Sequence, residues 1–294
     1  MKKFAAFLMM LTLVASFSVF AQEAPEAPEA PEAPETPAVE AEESSAWIPS
    51  LELSATWGSK YMCDGKVVNP NAMTFLDAFM TLNGFYVDLW AAMDMSHWNR
   101  PDGGSYAYKN DRQYRAEEVD YVIGYAYTFE DLLPISPLTI DVAYKYFQYP
   151  RAYFDHDEPL DMTIYLDNLL GEESKYTLGT GVTFRYDLNW YTWYGWYDVT
   201  LGTSITDKLS AKVSAKVFWG TKNKMRQAYG LNRDVISSLE VKGDLSYQVC
   251  ENITLGAFVD CGWALDHEIR QAWKDDSINN EENFRFGMSL AYAF

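Results

Sequence analysis

The sequence predicts an all-β fold: a single closed antiparallel transmembrane β-barrel of about 12 strands, with short periplasmic turns and longer extracellular loops. Three features of the chain lead to this prediction. An apolar leader opens the chain, apolar residues recur at every second position through residues 50–294, and an aromatic residue stands at the carboxy terminus. Such alternation suits a strand that has lipid on one face and a polar lumen on the other.

The start of the chain has the pattern of an export signal. Lys2 and Lys3 precede an apolar stretch from Phe4 to Phe20, and the following Ala21 completes a pattern suited to signal-peptidase cleavage. The acidic sequence beyond it does not suit a retained transmembrane anchor. We therefore expect residues 1–21 to be a cleaved signal peptide and the chain to be exported.

Residues 22–46 differ sharply in composition from the rest of the chain. Glu-Ala-Pro is repeated four times and is followed by an acidic stretch that contains Ser. Proline at every third position favours polyproline II, and a segment so poor in large apolar residues cannot form a core. We expect a disordered periplasmic linker, with a docking strip for a basic partner as the alternative. The barrel would then occupy residues 47–294.

The alternation divides this remaining part into strands separated by links of two lengths. The first strand is expected over Leu51–Tyr61, with Tyr61 pointing outward, and residues 71–82 give a less regular second strand. Long polar links, expected to be outer loops, lie near residues 95–115, 150–159, 220–235 and 266–281. Tight hairpin turns are expected at Asn83-Gly84, Thr206-Asp207 and Glu251-Asn252.

The last strand has the clearest pattern. From Phe284 onward, every second residue is large and apolar, and the series ends on the terminal Phe294. Such an ending is typical of the segment that the barrel-assembly machinery recognises in bacterial outer-membrane proteins. We predict that this assembly signal consists of Phe286, Met288, Leu290, Tyr292 and Phe294. A soluble all-β domain would also alternate, with its apolar face in a core, but the leader and this ending favour the barrel.

The opposite face of the strands carries the candidate channel-lining residues. Acidic side chains outnumber basic ones there, so a water-filled lumen would attract cations. The alternative is that these charges pair with one another and close the barrel. Trp90, Phe147, Trp196, Phe218 and Phe258 also point inward, where they could stack on a solute or fill the interior. The predicted lining comprises Glu52, Lys60, Asp88, Glu118, Asp120, Asp141, Lys145, Arg185, Asp187, Asp198, Lys212, Lys216, Glu240, Lys242, Asp244, Asp260 and Arg285, with Asp161 and Asp167 on the same face.

Composition excludes several classes of function. The formal net charge is -19, and without the leader and the linker 34 acidic and 21 basic residues remain, so nucleic acid is not an expected partner. No stretch beyond the leader has the length of a transmembrane helix. The three cysteines do not form a disulfide framework, and no EF-hand or Cys/His spacing is present, so we expect no metal site and no cofactor.

Catalysis is a weaker interpretation, and no catalytic residue is predicted. The chain has only three histidines, at His97, His156 and His267, and all fall in expected outer loops. A barrel phospholipase would need a Ser-His pair on the lipid-facing wall. Asp155-His156-Asp157 faintly resembles the dyads of omptin proteases, but one tripeptide has little specificity. A structural role is the third interpretation: the acidic loops Phe154–Pro159 and Lys274–Glu282 could hold divalent cations against lipopolysaccharide or bind a partner.

The first strands resemble a known family. Residues 51–61 read Leu-Glu-Leu-Ser-Ala-Thr-Trp-Gly-Ser-Lys-Tyr, Asp64-Gly65 follows, and Asn83-Gly84-Phe85-Tyr86-Val87-Asp88-Leu89-Trp90 opens the third strand. This segment is similar to the opening hairpins of the TorF-type porins. The resemblance implies a twelve-strand outer-membrane barrel and a channel role, and it brings no catalytic residues. The expected function is passive diffusion of small hydrophilic cationic or neutral solutes, with outer-membrane lipids, lipopolysaccharide, the assembly machinery and solutes as partners.

Overall fold

The computed structural model describes a barrel and the loops at its two ends. The described residues are 48–95, 116–130, 132–133, 136–150, 156–171, 173–275, 279 and 281–294. The predicted signal peptide and linker, at residues 1–46, and most of the predicted outer loop at 95–115 lie outside them.

Fifteen strands and two helices form in the described part of the chain. The helices are α1 (Lys222–Tyr229) and α2 (His267–Asp275). The strands are β1 (Ser50–Gly58), β2 (Tyr61–Cys63), β3 (Lys66–Asn69), β4 (Met73–Leu82), β5 (Phe85–Asp94), β6 (Ala116–Phe129), β7 (Leu138–Gln148), β8 (His156–Asp157), β9 (Pro159–Leu166), β10 (Tyr176–Asp187), β11 (Thr192–Ser204), β12 (Leu209–Gly220), β13 (Val235–Cys250), β14 (Ile253–Ala264) and β15 (Glu282–Ala293).

Twelve of these strands close into one antiparallel barrel. Each pairs with the next along the chain, and β1 closes the ring by pairing with both β4 and β15. The two-residue strand β8 adds a short edge to β7, and β2 and β3 pair only with each other. The prediction of a closed twelve-strand barrel is confirmed, and closure leaves no long unpaired strand edge along the wall.

The outer surface of the barrel is a row of exposed apolar side chains. Ile123 is 56% exposed and Met288 61%, although both lie in the middle of well-paired strands, and Phe85 at the start of β5 is 61% exposed. The residues between them face inward and are more buried. Val122 and Gly124, for example, are buried on either side of the exposed Ile123. The predicted outward row of the last strand, from Phe284 to Phe294, is exposed throughout its apolar positions.

Short turns join the strands at one end of the barrel. Asn83 and Gly84 both have positive φ angles, 51° and 81°, which a type I′ hairpin turn requires. The turns predicted at 206–207 and 251–252 also form. Glu52 pairs with Ala293, so the start of β1 and the end of β15 lie at this same end. Longer links lie at the other end, except at residues 188–191, where β10 and β11 are joined by a short one.

The two helices lie in the long links, where the sequence indicated only polar loops. Met225 on α1 packs with Ile269 and Trp273 on α2, and all three are nearly fully buried. Gly230 ends α1 with φ 74°, and its amide donates to the Arg226 carbonyl. Asp266 caps α2 by accepting from the amides of Glu268 and Ile269. Neither helix in the described residues is long and apolar enough to cross a membrane.

Candidate channel lumen

The structure places the predicted lining residues on the inner side of the wall, with two differences. Asp167, predicted on the same face, follows the end of β9 and is exposed. Lys60 lies in the link between β1 and β2 rather than on a wall strand. The other predicted lining residues lie on barrel strands at the positions that alternate with the exposed apolar row. They fall into two regions that differ in how their charges are partnered.

The first ion-paired group is centred on Asp161 of β9, a carboxylate that is only 4% exposed. Arg185 donates two hydrogen bonds to it, of 2.6 and 2.7 Å, and the ammonium of Lys145 lies 3.0 Å away. This bidentate geometry is the strong form of the Arg-carboxylate pair. The guanidinium of Arg185 also lies 5.1–5.6 Å from the ring centroids of Phe147, Tyr194 and Trp196.

A second ion-paired group lies on β13–β15. Arg285 donates to Asp260 at 2.6 Å, and Lys242 pairs with Asp244 at 2.6 Å. Both cations lie over the ring of Phe258, at 5.1 and 5.2 Å from its centroid. We call the wall from β9 to β15, together with Lys145 and Phe147 of β7, the paired wall.

Apart from Lys145, the charged residues on the inner face of β4–β7 are acidic. We call Asp77, Asp88, Glu118, Asp120 and Asp141 the acidic wall. None of the five forms an ion pair in the described residues, although Tyr61 donates to Glu118 at 2.7 Å and Tyr86 donates to Asp141 at 2.8 Å. One carboxylate oxygen on each of Asp77, Asp88 and Asp120 is buried and has no protein hydrogen-bond partner there. The same is true of Asp187, Asp244 and Asp260 on the paired wall, so the two walls differ in their ion pairs and not in their buried oxygens. Such oxygens are satisfied in a lumen by water or by cations.

The sequence did not identify Asp77 as a lining residue. The strand that carries it, β4, was expected only as an irregular segment, because its inner face is itself largely apolar. Met73 and Phe75 point inward there and are buried. The regular spacing of Phe75, Asp77 and Phe79 is the signal that would have placed Asp77 inside.

The hairpin β2–β3 lies inside the barrel rather than outside it. The wall strand β1 ends at Gly58, and Ser59 is held by the backbone of Phe286 on β15. The chain then turns inward, so the prediction that Tyr61 continues the first strand and points outward is wrong. Tyr61 instead packs on Phe75 and Trp90 and donates to Glu118 of the acidic wall. We call Tyr61–Asn69 the inner hairpin.

The tip of the inner hairpin reaches the paired wall. Asp64 and Gly65 form its turn with φ angles of 53° and 76°, and the Gly65 amide donates to Glu240 at 3.0 Å. Ser238 donates to the Asp64 carbonyl at 2.7 Å. A Cβ at Gly262 would overlap the Gly65 carbonyl, so the hairpin can approach β14 only over a glycine. The hairpin is therefore bonded to β6 on one side and to β13 on the other.

Open space remains in the lumen beside this hairpin. A cavity of about 180 Å³ is lined by Thr56, Phe75, Lys242, Asp244, Phe258 and Arg285 among others. The five aromatic residues predicted to point inward all do so. The ring centroids of Trp90 and Phe75 are 5.5 Å apart, and those of Trp196 and Phe218 are 6.1 Å apart. The ring of Phe147 contacts the guanidinium of Arg185, and the ring of Phe258 contacts that of Arg285. Aromatic side chains and the inner hairpin therefore occupy part of the lumen, and the cavity remains open beside them.

The residues considered for catalysis or metal binding are engaged elsewhere. His156 stacks on Tyr146 and lies 3.2 Å from Glu158, while Asp157 accepts from Trp190 at 2.6 Å. His97 and Asp155 lie outside the described residues, as do parts of both acidic loops. In the part of the chain that is described, no three His, Cys, Asp or Glu side chains come together as a metal site, and the three cysteines are free thiols.

Solved structures with a similar fold are outer-membrane barrels. The KdgM porin has 7% identity and a TM-score of 0.46, over 83% of this chain and 99% of that one. An outer-membrane channel from Pseudomonas putida has 8% identity and a TM-score of 0.49, over 84% and 96%. Outer membrane phospholipase A from Escherichia coli has 10% identity and a TM-score of 0.45, over 83% and 95%. Likeness at this level bears on neither solute nor activity. No protein-family model matches the chain, and neither does any curated protein.

Proposed function

We propose that this chain is an outer-membrane channel for passive diffusion of small hydrophilic solutes that are cationic or neutral. The exposed apolar exterior supports a position in the membrane, because water would not tolerate so continuous an apolar surface. The export signal at residues 1–21, the periplasmic linker at 22–46 and membership of the TorF-type family belong to the same proposal. So does recognition of Phe286, Met288, Leu290, Tyr292 and Phe294 by the assembly machinery, in a membrane that contains lipopolysaccharide.

The observation that carries this proposal is the uneven partnering of charge inside the barrel. On the paired wall, cations neutralise Asp161 and Asp260 directly. On the acidic wall, Asp77, Asp88 and Asp120 have no such partner among the residues described. Unpaired carboxylates beside a water path attract cations and repel anions, and the low-dielectric wall strengthens the effect.

A closed, structural barrel is the second candidate, and the inner hairpin favours it. The hairpin is bonded to Glu118 on one side and to Glu240 on the other, so it crosses part of the lumen. Met62 and Val67 on the hairpin are nearly fully buried, which indicates close packing around it. The two candidates differ in whether solvent passes beside the hairpin.

Conductance in planar bilayers separates these candidates and tests the role of the acidic wall. The purified chain is expected to give conductance steps, and the reversal potential in a KCl gradient is expected to show cation preference. Exchange of the wall carboxylates in the variant Asp77→Asn/Asp88→Asn/Asp120→Asn should lower that preference. Asp207→Asn, an exposed turn position on the same barrel, is the matched control and should leave it unchanged.

Three results would contradict the proposal. Absence of conductance from correctly folded protein would favour the closed barrel. Anion preference would show that the acidic wall does not set the field in the lumen. Cation preference that persists in the triple variant would place the selective charges elsewhere.

A further inference from the structure

A second polar cleft lies at the outer end of the barrel, away from the lumen cavity. It has a volume of about 370 Å³, within the usual range for small-molecule sites. The link between β10 and β11 forms one side and α1 forms the other. Its lining is Trp190, Tyr191, Thr192, Asn223, Arg226 and Gln227, none of which lines the lumen cavity.

The two aromatic residues of this cleft are held in place and exposed. Trp190 is 43% exposed, and its indole nitrogen donates to Asp157 while its amide donates to Asp187. Tyr191 is 71% exposed and has a φ angle of 53°. A bulky residue with positive φ is unusual, and such strain concentrates at binding sites. The link therefore presents two ring faces to solvent at a cost in backbone energy.

Two buried polar residues lie beneath the cleft. Thr192 is only 3% exposed, and its hydroxyl has no hydrogen-bond partner in the described protein. Asp187, which pairs with Thr192 across the two strands, is fully buried, and one of its carboxylate oxygens also has no partner there. Burying such groups without partners is unfavourable.

The helical side of the cleft supplies planar polar groups. Asn223, Arg226 and Gln227 lie three and four positions apart, so they share one face of α1, and all three are exposed. Arg226 has no side-chain ion pair in the described residues. Amide and guanidinium groups are planar and offer several hydrogen-bond donors, and the amides also offer an acceptor oxygen.

We propose that this cleft binds a short saccharide. A sugar ring has apolar C–H faces, which suit the rings of Trp190 and Tyr191, and a rim of hydroxyls, which suits the exposed side chains of Asn223, Arg226 and Gln227. A lipid chain would leave the amides of Asn223 and Gln227 without polar partners, and a polyanion would lie near the buried carboxylate of Asp187 beneath the cleft. The saccharide could be a free oligosaccharide or the sugar part of a lipid, and both present the same hydroxyl chemistry.

Binding can be measured on the purified full chain in detergent without reference to conductance. The probes are maltotriose, chitotriose and vesicles that contain rough-type lipopolysaccharide. Saturation-transfer NMR is expected to show contact between sugar ring protons and aromatic protons for at least one probe, and calorimetry gives its affinity. Binding of a free trisaccharide assigns a soluble ligand, whereas binding of the vesicles alone assigns a lipid-linked one.

Variants of exposed residues test the location of this site. Tyr191→Ala and Arg226→Ala should each weaken binding about tenfold, which corresponds to about 1.4 kcal/mol. Lys222→Ala, which removes an exposed charge from the same helix outside the cleft, should leave the affinity unchanged. The proposal is overturned if none of the three probes binds at millimolar concentration, if Tyr191→Ala and Arg226→Ala bind as the parent does, or if Lys222→Ala weakens binding equally.

Discussion

Both walls of the lumen carry inward carboxylates, but the two sets of carboxylates differ in what they contact. On the paired wall, Asp161 is enclosed by Arg185 and Lys145. On the acidic wall, Asp88 has Asp77 and Asp120 on the neighbouring strands and no ion pair in the described residues. The same alternation of sequence produces both regions. An inward carboxylate can therefore either stabilise the fold or set the electric field in the lumen, and its cross-strand neighbours determine which.

The inner hairpin joins the two walls, so its removal should have the largest effect. If Tyr61–Asn69 is replaced by a short Gly-Ser link, the outer part of the lumen loses its obstruction, and single-channel conductance should rise several-fold. Conductance in planar bilayers measures this. Tyr61→Phe, which removes only the hydrogen bond to Glu118, is the control and should change conductance much less. Equal conductance in parent and shortened chain would show that the hairpin does not limit the path.

Removal of one charge from the paired wall should give the next largest effect, on stability. Asp161→Asn leaves Arg185 and Lys145 without their carboxylate in a largely buried setting. Breaking a buried pair by removing one partner typically costs about 3–5 kcal/mol. The free energy of unfolding, measured by urea titration of the refolded barrel, is expected to fall by about that amount, since Asp161 is 4% exposed.

The matched substitution on the acidic wall should not lower the free energy of unfolding. Asp88→Asn removes a negative charge that lies among other carboxylates, so it should leave stability unchanged or raise it by about 1 kcal/mol. The two variants make the same chemical change on opposite sides of one lumen. Equal destabilisation in the same urea titration would show that the walls do not differ in their charge balance.

The sequence predicted those parts of the molecule that depend on local pattern. The outward row from Phe284 to Phe294 and the turn at Asn83-Gly84 follow from strand alternation and turn chemistry, which neighbouring residues determine. Alternation also assigned Arg185 and Asp161 to the interior. It could not assign them to each other, because register between strands is set by pairings distant in sequence.

The parts that the sequence missed depend on long-range contact. The inward turn of Tyr61 relies on Glu118 and on space over Gly262, which lie far along the chain. The helices α1 and α2 are short and are stabilised by packing on each other through Met225 and Trp273. Helices of eight and nine residues have little intrinsic stability, so no local pattern marks them clearly.

The smallest expected effect on stability comes from the outer loops, where the charge of Asp266 stabilises the start of helix α2. Burial alone would raise the pKa of Asp266, but hydrogen bonds from Arg233 and from the amides of Ile269 and Glu268 outweigh it and lower the pKa. A carboxylate whose pKa is lower in the folded state stabilises the fold above its unfolded pKa, near 3.9, and this contribution is lost as pH falls through the folded pKa. Asn keeps the oxygen that caps the helix but removes the charge that faces Arg233, so Asp266→Asn should reduce stability by at most about 1 kcal/mol at neutral pH. The difference between variant and parent should shrink as the pH falls below about 4. Urea titrations at neutral and acidic pH measure it, and a difference that stays constant with pH would show that the Asp266 charge contributes nothing beyond its hydrogen bonds.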